Sequence, residues 1–156
     1  MADIDFESKL KEFIKSRGIS AQHIHFEQSC HSVEEAACAA NAKKEDFVKN
    51  VCMTDRGGNI LVCIVKGEDK ASKEKVAELL GIEKPRMMNA QEMLERIGYP
   101  AGGTPSFGYN AIFMVDERVM EREFVLSGGG SENSLVRISP KELLRANNGR
   151  VAKIRS

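Results

Sequence analysis

Four glycines and two prolines fall within the twelve residues GYPAGGTPSFGY, from Gly98 to Tyr109. Glycine lets backbone approach a ligand closely, while Pro100 and Pro105 fix φ and stiffen the chain before anything binds. Read by composition alone, the stretch is either a plain surface turn or a shaped loop whose N–H groups are available to a bound oxygen. A second glycine cluster, Gly128, Gly129, Gly130 and Ser131, follows 19 residues after Tyr109. Lys49 is the third group of interest, because it lies in FVKNVCMT, a strand-like segment apolar on both faces. Such a lysine is either snorkelling from a strand end or facing a pocket where it can hold a phosphate or polarise a carbonyl. Two glycine loops and one cation would stabilise an oxyanion and position water. Neither a serine triad nor an obvious carboxylate accompanies them, and Asp116, in the turn-like DER, reads as a solvated structural acid.

Two other chemistries are weighed against this one. GGTPSFG lacks GxGxxG spacing and follows a helical pattern instead of a strand, which excludes a dinucleotide fingerprint; the GGGS cluster fails similarly. His23, His25, Cys30 and His31 form the one dense donor cluster, readable as a zinc site or, more blandly, as a strand with Ile24 and Phe26 inward and the histidines outward. Cys30, Cys38, Cys52 and Cys63 show no CxxC spacing and read as free thiols. Neither a metal nor a cofactor is expected.

The positioning elements follow from period and punctuation. Phe6, Leu10, Phe13 and Ile14 predict a helix stopping at Gly18, and Ala21 to Glu27 a strand; SVEEAACAA opens with a capping box at Ser32 and Glu35. Phe47–Thr54 and Asn59–Val65 flank DRGGN as a hairpin. Ser72 caps a helix ending at Gly81, a strand follows at Arg86 to Met88, and Asn89 with Glu92 starts a helix ending at Gly98. Ala111–Val115, Glu123–Leu126, Leu135–Ile138 and Val151–Ile154 read as strands, with a short helix opened by Ser139 and Pro140. Interleaved helices and hairpins predict a mixed α/β sheet. At 156 residues, with 42% hydrophobic and 29% charged residues, the chain reads as one globular domain over residues 1–156. It shows neither a signal peptide nor an apolar run long enough to span a membrane, so a cytoplasmic protein is expected. Basic and acidic residues both total 23, so nucleic acid would have to be held by a local patch, for which Arg145, Arg150, Lys153 and Arg155 offer either phosphate contacts or a solvated tail.

The order of FVKN at the start of a hairpin, VKGEDKAS before KVAELLG, GYPAGGTPSFG, VLSGGG and ISPKELL resembles the YbaK and prolyl-tRNA-synthetase-associated editing-domain family, from about Glu34 to Leu144. The resemblance implies a mixed, partly barrel-like sheet with surrounding helices, and hydrolysis of the ester joining a wrong amino acid to tRNA. It implies that Lys49 stands near the terminal adenosine and its ester, and that Gly102, Gly103, Thr104 and Pro105 surround the aminoacyl group. It implies that Gly129 and Gly130 line the pocket, with Asn50, Phe107 and Ser131 as further substrate-side residues. Asn50 stands where many members carry threonine or serine, and Ser131 where some carry histidine, which keeps open a non-catalytic module binding tRNA or a synthetase. The implied partners are the 3′ acceptor end of an aminoacyl-tRNA, of tRNA(Pro) type with a small amino acid, and an aminoacyl-tRNA synthetase.

Overall fold

The computed structural model describes residues 5–27 and 42–156. The helix predicted from Ser32 lies outside them, as do Cys30, His31 and Cys38. Helix α1 (Phe6–Ser16) starts because the Asp5 side chain accepts from the Ser8 amide, and it buries Leu10. Strand β1 (Ala21–His25) follows. Strands β2 (Val48–Thr54) and β3 (Ile60–Lys66) form the expected antiparallel hairpin. Helix α2 (Lys73–Leu80) is capped by Ser72 and stopped by Gly81 at φ 66°. Strand β4 (Arg86–Met87) pairs with the end of β2.

The segment after Asn89 is less regular than its periodicity predicts. One α turn, α3 (Ala90–Glu92), passes into a π-helical turn, Met93–Ile97, closed by Gly98 at φ 90°. A wider turn of this kind accommodates one extra residue, and here it delivers the chain into the glycine–proline stretch. Then come β5 (Ile112–Asp116), β6 (Val125–Gly128), β7 (Ser134–Ile138), α4 (Pro140–Asn147) and β8 (Arg150–Ala152). The sixth strand begins two residues later than its β-branched content suggests and runs into the second glycine cluster.

Two sheets result. One has the order β1-β7-β6, all antiparallel; the other has the order β4-β2-β3-β5-β8, antiparallel at β4-β2-β3 and parallel at β3-β5-β8. A bridge between Phe47 and Leu126 joins them. The mixed α/β expectation holds, and the sheet is not closed into a barrel. The larger sheet is covered on both faces. Val48, Cys52, Val62 and Ile64 pack into a core with α1 and Phe107, whereas Met53, Leu61, Cys63 and Val65 pack beneath α2. Burial pushes the Cys52 and Cys63 thiols up to about 12, so neither supplies a reactive thiolate.

Asp116 is not the solvated turn residue expected of DER. It ends β5 with no exposed surface, and its carboxylate accepts from the amides of Ile154 and Arg155 (3.0 and 3.1 Å), the Arg118 amide (3.1 Å) and the Arg155 guanidinium (2.9 Å). Burial acts to raise its pKa, but these donors outweigh burial and hold it below the usual carboxylate value. The group therefore adds stability that is present above its unfolded pKa of 3.8 and is lost as pH falls through the folded value. Asp116→Asn is expected to lower urea-unfolding stability at pH 7 by about 1.5–3 kcal/mol, the worth of hydrogen bonds to a charged group. Most of that loss should vanish at the acid end of a pH series, and an equal loss at both ends would remove this account.

Candidate functional site

The two glycine clusters meet backbone to backbone. After Gly98 the chain makes a 3-10 turn, Ala101–Gly103, in which the Gly103 amide and the Thr104 hydroxyl both donate to Pro100 O, at 2.9 and 3.0 Å. The Gly130 amide then donates to Gly103 O at 2.8 Å. A Cβ on Gly103 would collide with Ser131 N and stand 2.6 Å from Gly130 C; one on Gly128 would collide with Thr104 O. These positions are glycine because the two loops leave no room for a methyl group. Gly129 sits equally close to Ser134 and Leu135, and Gly130, at φ 101°, lies under the first turn of α1 beside Phe6 O. Gly102, by contrast, is exposed.

Asn50 ties this double loop to the large sheet. Its amide donates to Thr104 O at 2.9 Å, and its Oδ1 accepts from the Ser106 hydroxyl at 2.6 Å. The Asn147 amide in turn donates to Ser106 O at 3.0 Å. The hydroxyls of Thr104 and Ser106 are thus committed to the protein. Asn50→Ala would leave a buried hydroxyl and carbonyl unpaired. It is expected to cost about 1–3 kcal/mol in urea unfolding, whereas an unchanged midpoint would mean water replaces the amide without penalty.

Lys49 is the neighbour of Asn50 on β2, opposite Val65. The two-residue period of a strand sends its side chain to the face carrying Val51 and Met53, away from Asn50 and Thr104. It is half-buried and has no hydrogen-bond or ion-pair partner among the described residues. Lys66, across the hairpin, shows the usual solution, an ion pair with Glu68 at 2.9 Å. Among the described residues no side-chain hydrogen bond or ion pair joins Lys49 to either glycine loop. Phe107 has no exposed surface and stacks on Phe13 in the core, 6.1 Å between centroids. Pro105 is buried, and its carbonyl accepts from the Tyr109 hydroxyl at 2.7 Å, so Tyr109 and Pro100 both brace the loop from behind.

Glu7 and Ser127 escaped the sequence reading, and His23 is placed differently from it. The expected outward face of β1 is corrected at His23: the side chain is 7% exposed, and its Nε2 lies 2.8 Å from Gly129 O. The first turn of α1 covers that face and brings Glu7 between His25, at 2.9 Å, and the Ser131 hydroxyl, at 2.8 Å. His25 is the outward one, half exposed. An imidazole therefore stands beside the glycine pair, delivered by β1 instead of by position 131. No local pattern could have revealed a contact spanning 106 residues. Ser127, just before the cluster, holds a buried hydroxyl with no hydrogen-bond partner among the described residues. Among the described residues no group of three or more His, Cys, Asp or Glu side chains is placed to hold a metal ion.

The C-terminal arginines divide. Arg145 is paired with Glu142 at 2.6 Å and Arg155 with Asp116 and Glu117, while Ile154 is fully buried, so the segment is not a free basic tail. Arg150 and Lys153 have no such partner among the described residues.

The model of the aminoacyl-tRNA editing domain matches residues 27–146, a span that takes in β2, both glycine clusters and most of α4. The chain belongs to this family. Two solved structures extend the likeness of the editing domain beyond the matched span. A proposed trans-editing enzyme for prolyl tRNA synthetase superposes with a TM-score of 0.90 at 25% identity, over 99% of each chain. A protein described only as hypothetical superposes at 0.86 with 31% identity, covering 95% of this chain and 99% of its own. A scaffold used for epitope grafting, at 0.88 and 24% identity over 99% of both chains, shares the fold. No curated protein matches the sequence. Membership of the family makes aminoacyl-tRNA the substrate class of the domain, and no described helix is long and apolar enough to cross a membrane.

Proposed function

We propose that this editing domain is a trans-acting deacylase that hydrolyses the ester between a small amino acid and the 3′ end of a tRNA of the tRNA(Pro) type. The observation that carries the reading is the double glycine loop tied to β2 through Asn50, two backbones held in contact with no side chains between them; Lys49, the next residue along β2, is half-buried and has no counter-charge among the described residues. A cation without a counter-charge is available to an anionic group of the substrate. Lys49 is the second residue of β2, near the start of the strand, and the role assigned to it is to meet a phosphate or the ester of the terminal adenosine.

Water adds to the ester carbonyl carbon, the C–O bond to the ribose breaks, and the ribose hydroxyl and free amino acid leave with the two protons of the water. Negative charge develops on the carbonyl oxygen. The amides of Gly103, Gly130 and Ser131 already donate to Pro100 O, Gly103 O and Ser134 Oγ, whereas the Thr104 amide makes no backbone bond, so Thr104 N–H is the donor assigned to that oxygen. With Ser131 held by Glu7 and Ser134, the loops offer no free base, and a hydroxyl or phosphate of the substrate assists the water. Close loop packing suits a small side chain, and a hydrolytic second site is the usual answer where one methylene is worth only about 10- to 200-fold in a binding pocket. The proposed trans-editing enzyme among the similar structures is linked to prolyl tRNA synthetase, which supports the tRNA(Pro) assignment and a synthetase as partner.

The test is a deacylation screen on tRNAs carrying alanine, cysteine, serine, threonine and proline. Accelerated release of at least one small amino acid is expected. Protection of every ester against spontaneous hydrolysis would make the domain a tRNA-binding module instead.

A further inference from the structure

Behind the glycine–proline loop lies a cleft of about 690 Å³, lined by Phe13 of α1 and Arg17 that caps its end, Tyr109 and Asn110 at the end of the loop, Asn148 at the end of α4 and Arg150 of β8. Its twelve lining residues include two arginines and three asparagines but no aspartate or glutamate. In a chain whose basic and acidic residues balance at 23 each, a wall without carboxylates is a local exception that favours an anion. Among the described residues neither arginine has an ion-pair partner. The Arg17 guanidinium lies 5.2 Å over the Phe13 ring, and Arg150 has no ion-pair partner among the described residues, in contrast to Arg145 and Arg155 close by in sequence. A guanidinium plane backed by an aromatic ring is a platform for a nucleobase as well as a charge for a phosphate, and the amides of Asn110 and Asn148 can read base edges.

The cleft is also tied to the candidate aminoacyl loop. Tyr109 donates to Pro105 O at 2.7 Å and Asn147 to Ser106 O at 3.0 Å, so residues of the cleft wall hold the loop from behind. A chain whose terminal ester reaches Thr104 would leave its preceding nucleotides close to this wall.

We propose that the cleft binds the single-stranded, phosphate-bearing 3′ end of RNA, with Arg17 and Arg150 on phosphates and the Arg17–Phe13 platform under a base. The assignment rests on the editing reading for the identity of the RNA, but its test does not depend on turnover. Binding of an uncharged acceptor minihelix with a single-stranded 3′ end is measured across a salt series for the wild-type protein, the Arg17→Ala/Arg150→Ala double variant and the matching double lysine variant. Thermal melting checks the fold of each. The alanine variant should bind at least 10-fold more weakly, and its log–log salt slope should shrink by about 1.4, since each single-strand phosphate contact contributes about 0.7. The lysine variant should keep the slope and lose affinity through the missing stacking plane. Arg56→Ala, on the exposed β2–β3 turn, serves as the distant control. An unchanged affinity and slope in the alanine variant would overturn the proposal. Loss of adenosine monophosphate or inorganic phosphate binding without any change toward the minihelix would also overturn it, assigning the cleft to a free nucleotide or anion. If the minihelix result holds while no ester is hydrolysed, the cleft stands and the deacylase reading fails.

Discussion

Lys49→Ala is expected to slow deacylation of the cognate aminoacyl-tRNA by about 100- to 1000-fold, the range found when one preorganised group that stabilises developing charge is removed. The substitution touches no partner among the described residues, so stability should change little and the loss is chemical. Its division between constants is informative. If Lys49 only anchors the tRNA end, KM rises at constant kcat; if it acts on the ester as charge develops, kcat and kcat/KM fall together. Lys49→Arg keeps the charge but replaces a compact ammonium with a broad planar fork, and it should recover binding more than rate. Full activity of a well-folded Lys49→Ala protein across a panel of aminoacyl-tRNAs would remove Lys49 from the mechanism.

Gly103→Ala acts on the other half of the site. The added methyl group would meet Ser131 N and Gly130 C, both backbone, so no rotamer change relieves it and one loop must move off the other. Such overpacking costs about 1–3 kcal/mol, read as a lower urea midpoint. Because Gly103 O also receives the Gly130 amide and Thr104 follows directly, the donor assigned to the oxyanion moves with the loop. A displacement of roughly 1 Å at a reacting centre can cost about 100-fold in rate. Gly102→Ala is the matched control, since Gly102 is exposed and its new Cβ would meet the flexible Glu132 side chain at 3.1 Å. Equal loss in both variants would show that general loop stiffness, and not the backbone contact, governs activity.

Much of the fold could be read locally because its signals are local. Ser72 and Gly81, the Asn89–Glu92 capping box, and Ser139 before Pro140 bracket their helices where capping chemistry says they should. DRGGN placed the β2–β3 hairpin. The misses occurred where tertiary packing competes with local pattern. The helix after Asn89 turns π-helical, β6 starts at Val125, and Asp116 is drawn inward by amides of the segment after β8, Ile154 being 38 residues later.

For the candidate site, the sequence by itself determined which residues have the type and spacing to be proposed for chemistry: a lysine in a strand apolar on both faces, and two glycine clusters too constrained for regular structure. Residue type, period and backbone sterics are properties of the chain, so they survive without coordinates. Only the tertiary structure decided how these parts are arranged. It packed the clusters against each other, turned Lys49 and Asn50 to opposite faces of β2, buried Phe107 in the core and brought His23 and Glu7 to the glycine pair. Those contacts join segments far apart in sequence, and their energy comes from close packing and from satisfying buried polar groups. No local pattern encodes that, because each partner is only half of the contact.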